Sequence, residues 1–430
     1  MVRLYIGEKK CGTFRSNEKV IVLVIDDVKI IKEKIFNHSG KSYPIVCKLF
    51  KFPSQEGEKV ASKEQDIEFD ETFYIDSRNC IRNHSRSLFQ KHSNLEMIGA
   101  SAYRSKKNGC DIVPEPCIVF YCSCKGVKPL EESNFPTTVN GIKTDVREGF
   151  FYQSTNEVYS AKSEEDIYPL LTGASISSKD SSIMGTLGGF VKSSNGDIGF
   201  ITCAHVLFNL SKKCYETEMF DIVQPAYSNN ICGVHTYSCF PTTPFPDCTM
   251  DASLVILKSR KPEKGLFSNL TAEDFCLLGN GLSKENLPEY SEGDNVRDYD
   301  QMQDHGNHLK DPCFKLGAKS GFTKGYLRFN EISVRCYSDE MDVSHSSTPL
   351  EIKYYSQLEI KGSDKDFADA GDSGAFVYQL DSSSTKEDKH RLYCIGMIVG
   401  NTNFSTVVTP IVPILQTFGA EMYTFPQDKS

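Results

Sequence analysis

The chain has 430 residues, 39% apolar and 24% charged, a balance that excludes collagen-like, low-complexity and disordered classes and leaves room for two or three domains. Its 48 Lys and Arg against 57 Asp and Glu give a net charge of -9, so nucleic acid and anionic membranes are not expected partners. No run of about 18 apolar residues occurs, as a bilayer span would need. The start lacks the uninterrupted apolar stretch of a secretory signal, and the 16 cysteines are scattered. Free thiols and a cytoplasmic or nuclear location are expected.

Residues 2–6 and 20–25 read as strands separated by a turn region with Gly and Asn. A helix is expected next, with Asp26 and Asp27 as caps, Val28, Ile31 and Ile35 on one face, and Gly40 as its stop. Residues 43–50 return to strand character, and 53–65 read as a polar loop. This order resembles the opening of a ubiquitin-like β-grasp domain, a small α+β unit placed at 1–83. A strand-rich accessory unit follows at 84–168, with strands at 97–103, 117–122 and 142–146. From 169 to 430 short strands recur at 189–191, 198–202, 254–257, 327–336 and 395–399, a mainly β pattern of barrels or sandwiches. Residues 284–304 carry seven acidic side chains among few apolar ones and read as a surface insertion. The run 411–418 before Gly419 suits a short closing helix.

Three local patterns carry chemistry. Gly371-Asp372-Ser373-Gly374-Ala375 puts a serine in a tight glycine bend ahead of an apolar strand. There the N–H groups of Gly371 and Ser373 could face a developing oxyanion. By itself such a segment is also an ordinary hairpin turn. Thr202-Cys203-Ala204-His205 places an imidazole at a strand end, where it could act as general base once a carboxylate fixes its tautomer. Asp251, at the head of the apolar strand Ala252-Ser253-Leu254-Val255-Ile256-Leu257, is the preferred carboxylate, with Asp247 in a neighbouring loop as the competitor.

The order His205, Asp251, Ser373 is that of chymotrypsin-like proteases, and the three motifs resemble those of trypsin-like serine peptidases. The resemblance spans about 173–419, with Gly185-Thr186-Leu187-Gly188-Gly189 similar to the first barrel strand and residues 315–325 to the entry of the second barrel. It implies two six-stranded β-barrels, one at about 183–260 and one at about 312–420, with an insertion at about 284–308. Residues 94–148 resemble the region before the protease domain of intracellular proteins such as the plant narrow-leaf proteases. The histidine motif departs from secreted trypsins in having Val206 after His205, so the usual disulfide is missing. The Gly185 to Gly189 segment also lies inside the chain, which argues against activation by a newly made N-terminus.

In the same pattern Phe367 stands at the base of the primary substrate pocket, with Asp364, Asp366 and Asp369 around it. Val399, Gly400 and Asn401 form the edge to which a substrate strand would pair. Cys110, Cys117, Cys122 and Cys124 have the wrong spacing for zinc knuckles, and His305 and His308 beside Asp304 read as a solvated loop. No metal, no cofactor and a protein or peptide substrate are expected. A serine endopeptidase is the leading reading; a catalytically weak pseudo-protease acting as a scaffold is the alternative.

Overall fold

The computed structural model describes residues 3–10, 17–25, 35–49, 54–64, 69–106, 109–153, 156–157, 170–179, 181–208, 219–241, 248–258, 260, 262, 296–298, 311–337, 351–380 and 392–425. The chain divides into two compact units. One comprises Met1–Tyr152, Glu331–Tyr355 and Thr402–Phe404; the other comprises Gln153–Asn330, Ser356–Asn401 and Ser405–Ser430.

The first unit opens on a hairpin of β1 (Arg3–Lys10) and β2 (Asn17–Ile25), followed by a second hairpin of β3 (Ile35–His38) and β4 (Lys41–Leu49). β4 runs parallel to β2. Val20, Val22 and Val24 point to one face of β2 and pack with Cys124, Val127 and Phe150, the period-two pattern of a half-buried strand. Most of the helix expected at 26–40 lies outside the described residues. Its last part is corrected: Ile35 and Phe36 sit in β3, and Gly40 serves the β3–β4 turn at φ +75°.

The polar loop expected at 53–65 is also corrected. α1 (Gln55–Lys63) forms there, capped where Gly57 N donates to Ser54 Oγ at 3.1 Å. α2 (Glu71–Lys91) starts at Asp70, whose carboxylate accepts from Phe73 N, and runs straight through residue 83. The chain continues through β5 (Leu95–Ser101), β6 (Arg104–Lys106), β7 (Asp111–Val113), β8 (Cys117–Cys122), β9 (Val127–Pro129), β10 (Thr138–Val139) and β11 (Ile142–Glu148). Every residue of β5 and β8 is buried, as suits strands covered on both faces. β12 (Phe151–Gln153) carries the chain from one unit into the other.

After β13 (Asn156–Glu157), the second unit builds its first ring from β14 (Ser175–Ser178), β15 (Ile183–Thr186), β16 (Gly189–Ser193), β17 (Ile198–Thr202), β18 (Asp221–Val223), β19 (Ile231–Cys239) and β20 (Ala252–Leu257). Hydrogen-bonded neighbours run β15, β14, β18, β19, β20, β17, β16. Because only Leu187 and Gly188 separate β15 from β16, these are halves of one bent strand and the ring closes with six strands. The bend needs glycine: a Cβ on Gly188 would lie 2.2 Å from the Gly374 carbonyl oxygen.

The second ring uses β21 (Pro312–Gly317), β22 (Gly321–Tyr337), β23 (Glu351–Gly362), β24 (Phe376–Leu380), β25 (Leu392–Thr402) and β26 (Thr406–Pro410). The order is β22, β21, β24, β25, β26, β23, and a β22–β23 pairing closes it. Its interior holds Leu327, Leu358, Ile360, Val377, Ile395 and Val408. α4 (Ile411–Phe418) ends at Gly419 in the left-handed conformation, and β27 (Ala420–Met422) returns to pair with β16. The fold is mainly β, with two closed six-stranded barrels. Of the acidic insertion only 296–298 are described, and there Arg297 is buried, donating to Asp311 at 3.0 Å. His305, His308 and Asp304 lie outside the described residues.

Candidate active site

β17 ends at Thr202, and α3 (Ala204–Leu207) turns directly after it, so His205 leaves the barrel rim on a rigid strand-to-helix corner. Asp251 immediately precedes β20, and the β17–β20 pairing of Thr202 with Ser253 brings it beside that corner. The carboxylate holds His205 twice: Oδ1 accepts from the backbone N at 3.0 Å, and Oδ2 lies 2.7 Å from Nδ1. Asp251 is wholly buried and His205 is 2% exposed, so water neither screens nor replaces this pair. The same Oδ2 accepts a third bond, from Gln153 Nε2 at 3.1 Å. His205 Nε2 is buried and has no hydrogen-bond partner among the described residues. Asp247 lies outside the described residues.

Ser373 occupies a bend whose flanking glycines take positive φ, +106° at Gly371 and +93° at Gly374, where a side chain would strain the backbone. The bend is fastened to the first barrel. Thr186 N donates to Ser373 O at 2.9 Å, and Thr186 Oγ1 donates to Gly371 O at 2.9 Å. A Cβ on Gly374 would meet Thr202 Oγ1 at 2.3 Å and Cys203 N at 3.2 Å. The serine bend therefore sits against the two residues that lead into His205. Ile398 O receives both the Gly374 N–H at 2.9 Å and the Cys203 thiol at 3.0 Å, joining histidine motif, serine motif and β25 at one atom.

Asp372, between Gly371 and Ser373, is the anchor of the bend. Its Oδ2 lies 2.7 Å from Lys315 Nζ on β21, with both side chains fully buried. Its carboxylate also accepts from the N–H groups of Lys319, Ser320 and Asp369 and from Ser320 Oγ. Burial works against a charged Asp372, but Lys315's charge and these hydrogen bonds outweigh it and hold the carboxyl below its usual range. Burial likewise pulls the Lys315 ammonium down, opposed by Asp372. Sequence reading placed Lys315 only at a barrel entry. The signal was a lone lysine in a six-residue strand, PCFKLG, that is otherwise apolar apart from its end residues.

No family model matches this chain, and no curated protein matches it. Solved structures do. It is similar to Thermobifida fusca protease A, at 17% identity and TM-score 0.34 over 59% of this chain and 98% of that one. It is also similar to a glutamic acid-specific serine protease, at 15% identity and TM-score 0.33 over 59% and 100%. The chymotrypsin of Cellulomonas bogoriensis gives 17% and 0.32 over 59% and 98%. The fold rests on the two closed rings rather than on these likenesses.

The residues expected at the substrate pocket lie in different surroundings. Asn401 Nδ2 donates to Ala368 O at 3.2 Å while its Oδ1 accepts from Thr406 Oγ1 at 2.8 Å, which ties the segment after Phe367 to β26. Pairing of β25 on β26 passes from Ile398 to Gly400, leaving Val399 as a bulge beside the serine bend. Phe367 itself is buried in the second barrel's core with Leu327, Leu358 and Ile395, whereas Asp364, Asp366 and Asp369 are exposed.

Among the described residues, Cys203, His205 and Asp251 bring their ligand atoms within 4.8 Å of one another. They suit hydrogen bonding rather than metal ligation. Burial, and after it Asp251's charge, pushes the Cys203 thiol well above its ordinary pKa, so it stays protonated and donates to Ile398 O. Cys117 and Cys122 lie within β8 as buried thiols, with burial pushing Cys117 up to about 12.

Proposed function

We propose that the protein is a serine endopeptidase in which Ser373 is the nucleophile, His205 the general base and acid, and Asp251 the residue that orients the imidazole. The observation that carries this reading is the buried pair of hydrogen bonds between His205 and Asp251, set directly against the glycine bend that holds Ser373. With Nδ1–H committed to Asp251, Nε2 is the basic nitrogen. It takes the Ser373 hydroxyl proton as Oγ bonds to the peptide carbonyl carbon, and the carbonyl electrons move to oxygen. The amides of Gly371 and Ser373 stabilise that oxyanion. His205 then gives the proton to the departing amine, and a water repeats the sequence on the acyl-enzyme. The nucleophile–base contact of such sites often tightens only with substrate bound.

Lys315 supports an enzyme that needs no new N-terminus to shape its site, because an internal cation already neutralises Asp372. The substrate is a protein or peptide. All thirteen described cysteines are free, which favours a reducing compartment, cytoplasmic or nuclear. The test is digestion of a proteome-derived peptide library. New termini should appear with the natural chain and be absent with Ser373→Ala; equal cleavage by both would overturn the reading, and no cleavage by either would favour a scaffold.

A further inference from the structure

We propose that Gln153 is a positioning residue for the His205–Asp251 pair, supplying from a segment ahead of both barrels the donor that pins the carboxylate. This rests on the peptidase reading for its catalytic consequence. Asp251 Oδ2 is the oxygen that faces His205 Nδ1, and Gln153 Nε2 reaches that same oxygen at 3.1 Å. The two bonds from His205 hold the carboxylate only relative to the histidine. A third donor on an independent backbone fixes both relative to the barrel. Asp251 is wholly buried. Cys203, the polar side chain beside it, spends its proton on Ile398 O. A primary amide suits this role, because it donates at every pH and brings no charge that would compete with the imidazolium.

Gln153 stands 98 residues before Asp251, at the end of β12 and at the point where the chain enters the second unit. The orienting group is thus completed only when the segment that carries Gln153 is seated.

The test compares Gln153→Met, which keeps the length and loses the donor, with Gln153→Glu, which keeps the shape and turns donor into acceptor beside Asp251. Expected for Gln153→Met is a fall in kcat of about ten-fold with KM within about two-fold, the size of one charge-assisted hydrogen bond. Gln153→Glu should fall further. Independently of activity, the downfield proton resonance of His205 Nδ1–H, assigned by its loss in His205→Ala, should move in Gln153→Met. A resonance unchanged in both variants overturns the proposal, whatever kcat does, as does a Gln153→Met enzyme with natural kcat. Should the natural chain prove inactive on peptides, the peptidase reading fails while the resonance still decides the role of Gln153.

Discussion

Replacing Lys315 by Met removes the ammonium that faces Asp372 and leaves a stem of similar length in the strand. The four other donors, from Lys319, Ser320 and Asp369, remain, but they are neutral, and the carboxylate keeps its charge in an interior with no exposure. Breaking a buried pair from one side costs about 3–5 kcal/mol. At about 2–4 °C per kcal/mol for a unit of this size, the low end of that range alone lowers Tm by roughly 6–12 °C. Activity should fall further than stability suggests, because Asp372 lies between Gly371 and Ser373, and displacing one oxyanion donor costs about a hundred-fold or more in kcat.

The pH dependence has a sign. In the natural chain Asp372 titrates below its usual value, so its contribution is fully present above about 4 and is lost only as pH falls through the lower folded value. In Lys315→Met, burial without the cation raises the Asp372 pKa, so the deficit should be largest near neutrality and narrow on acidification. Lys315→Met/Asp372→Asn removes the charge with the partner and should recover much of the lost stability, though not the activity. Denaturant unfolding and peptide hydrolysis, each measured across pH, read these effects. A single variant within about 1 kcal/mol of the natural chain and fully active would refute the role given to the pair.

Ser373→Ala and His205→Ala should each remove nearly all peptidase activity, with the double variant scarcely worse, because the two act as one unit. Asp251→Asn should stay folded yet lose about four orders of magnitude in kcat through the wrong imidazole tautomer, while Asp247→Asn stays active; the reverse pattern would move the orienting role to Asp247. Activity and melting temperature should be unchanged in millimolar-scale reductant, since the described cysteines are free thiols; loss on reduction would contradict that. Phe367→Ala should destabilise by about 3–5 kcal/mol in denaturant, as for a large core aromatic; a loss below about 1 kcal/mol would contradict its place in the barrel core.

The barrel strands and the three motifs were legible because each is local: a glycine bend, a strand end with a histidine, an aspartate at the head of an apolar run. Their spatial meeting is what ring closure adds. Lys315 with Asp372, and Gln153 with Asp251, were not legible, because the partners lie 57 and 98 residues apart and no sequence period connects them. The first unit was read less well for another reason. α2 mixes Ser77, Arg78 and Ser85 into the buried face that carries Tyr74, Ile81, Leu88 and Phe89, which hides the helical period. Ile35, assigned to a helix face, belongs to a four-residue strand too short to show alternation.

Whether Ser373 is an activated nucleophile is tested most directly by fluorophosphonate labelling of the natural chain, read by intact mass and peptide mapping. One adduct should form on Ser373, with none in Ser373→Ala and almost none in His205→Ala. A natural chain that stays folded and unlabelled, or an adduct that persists in Ser373→Ala, would contradict it.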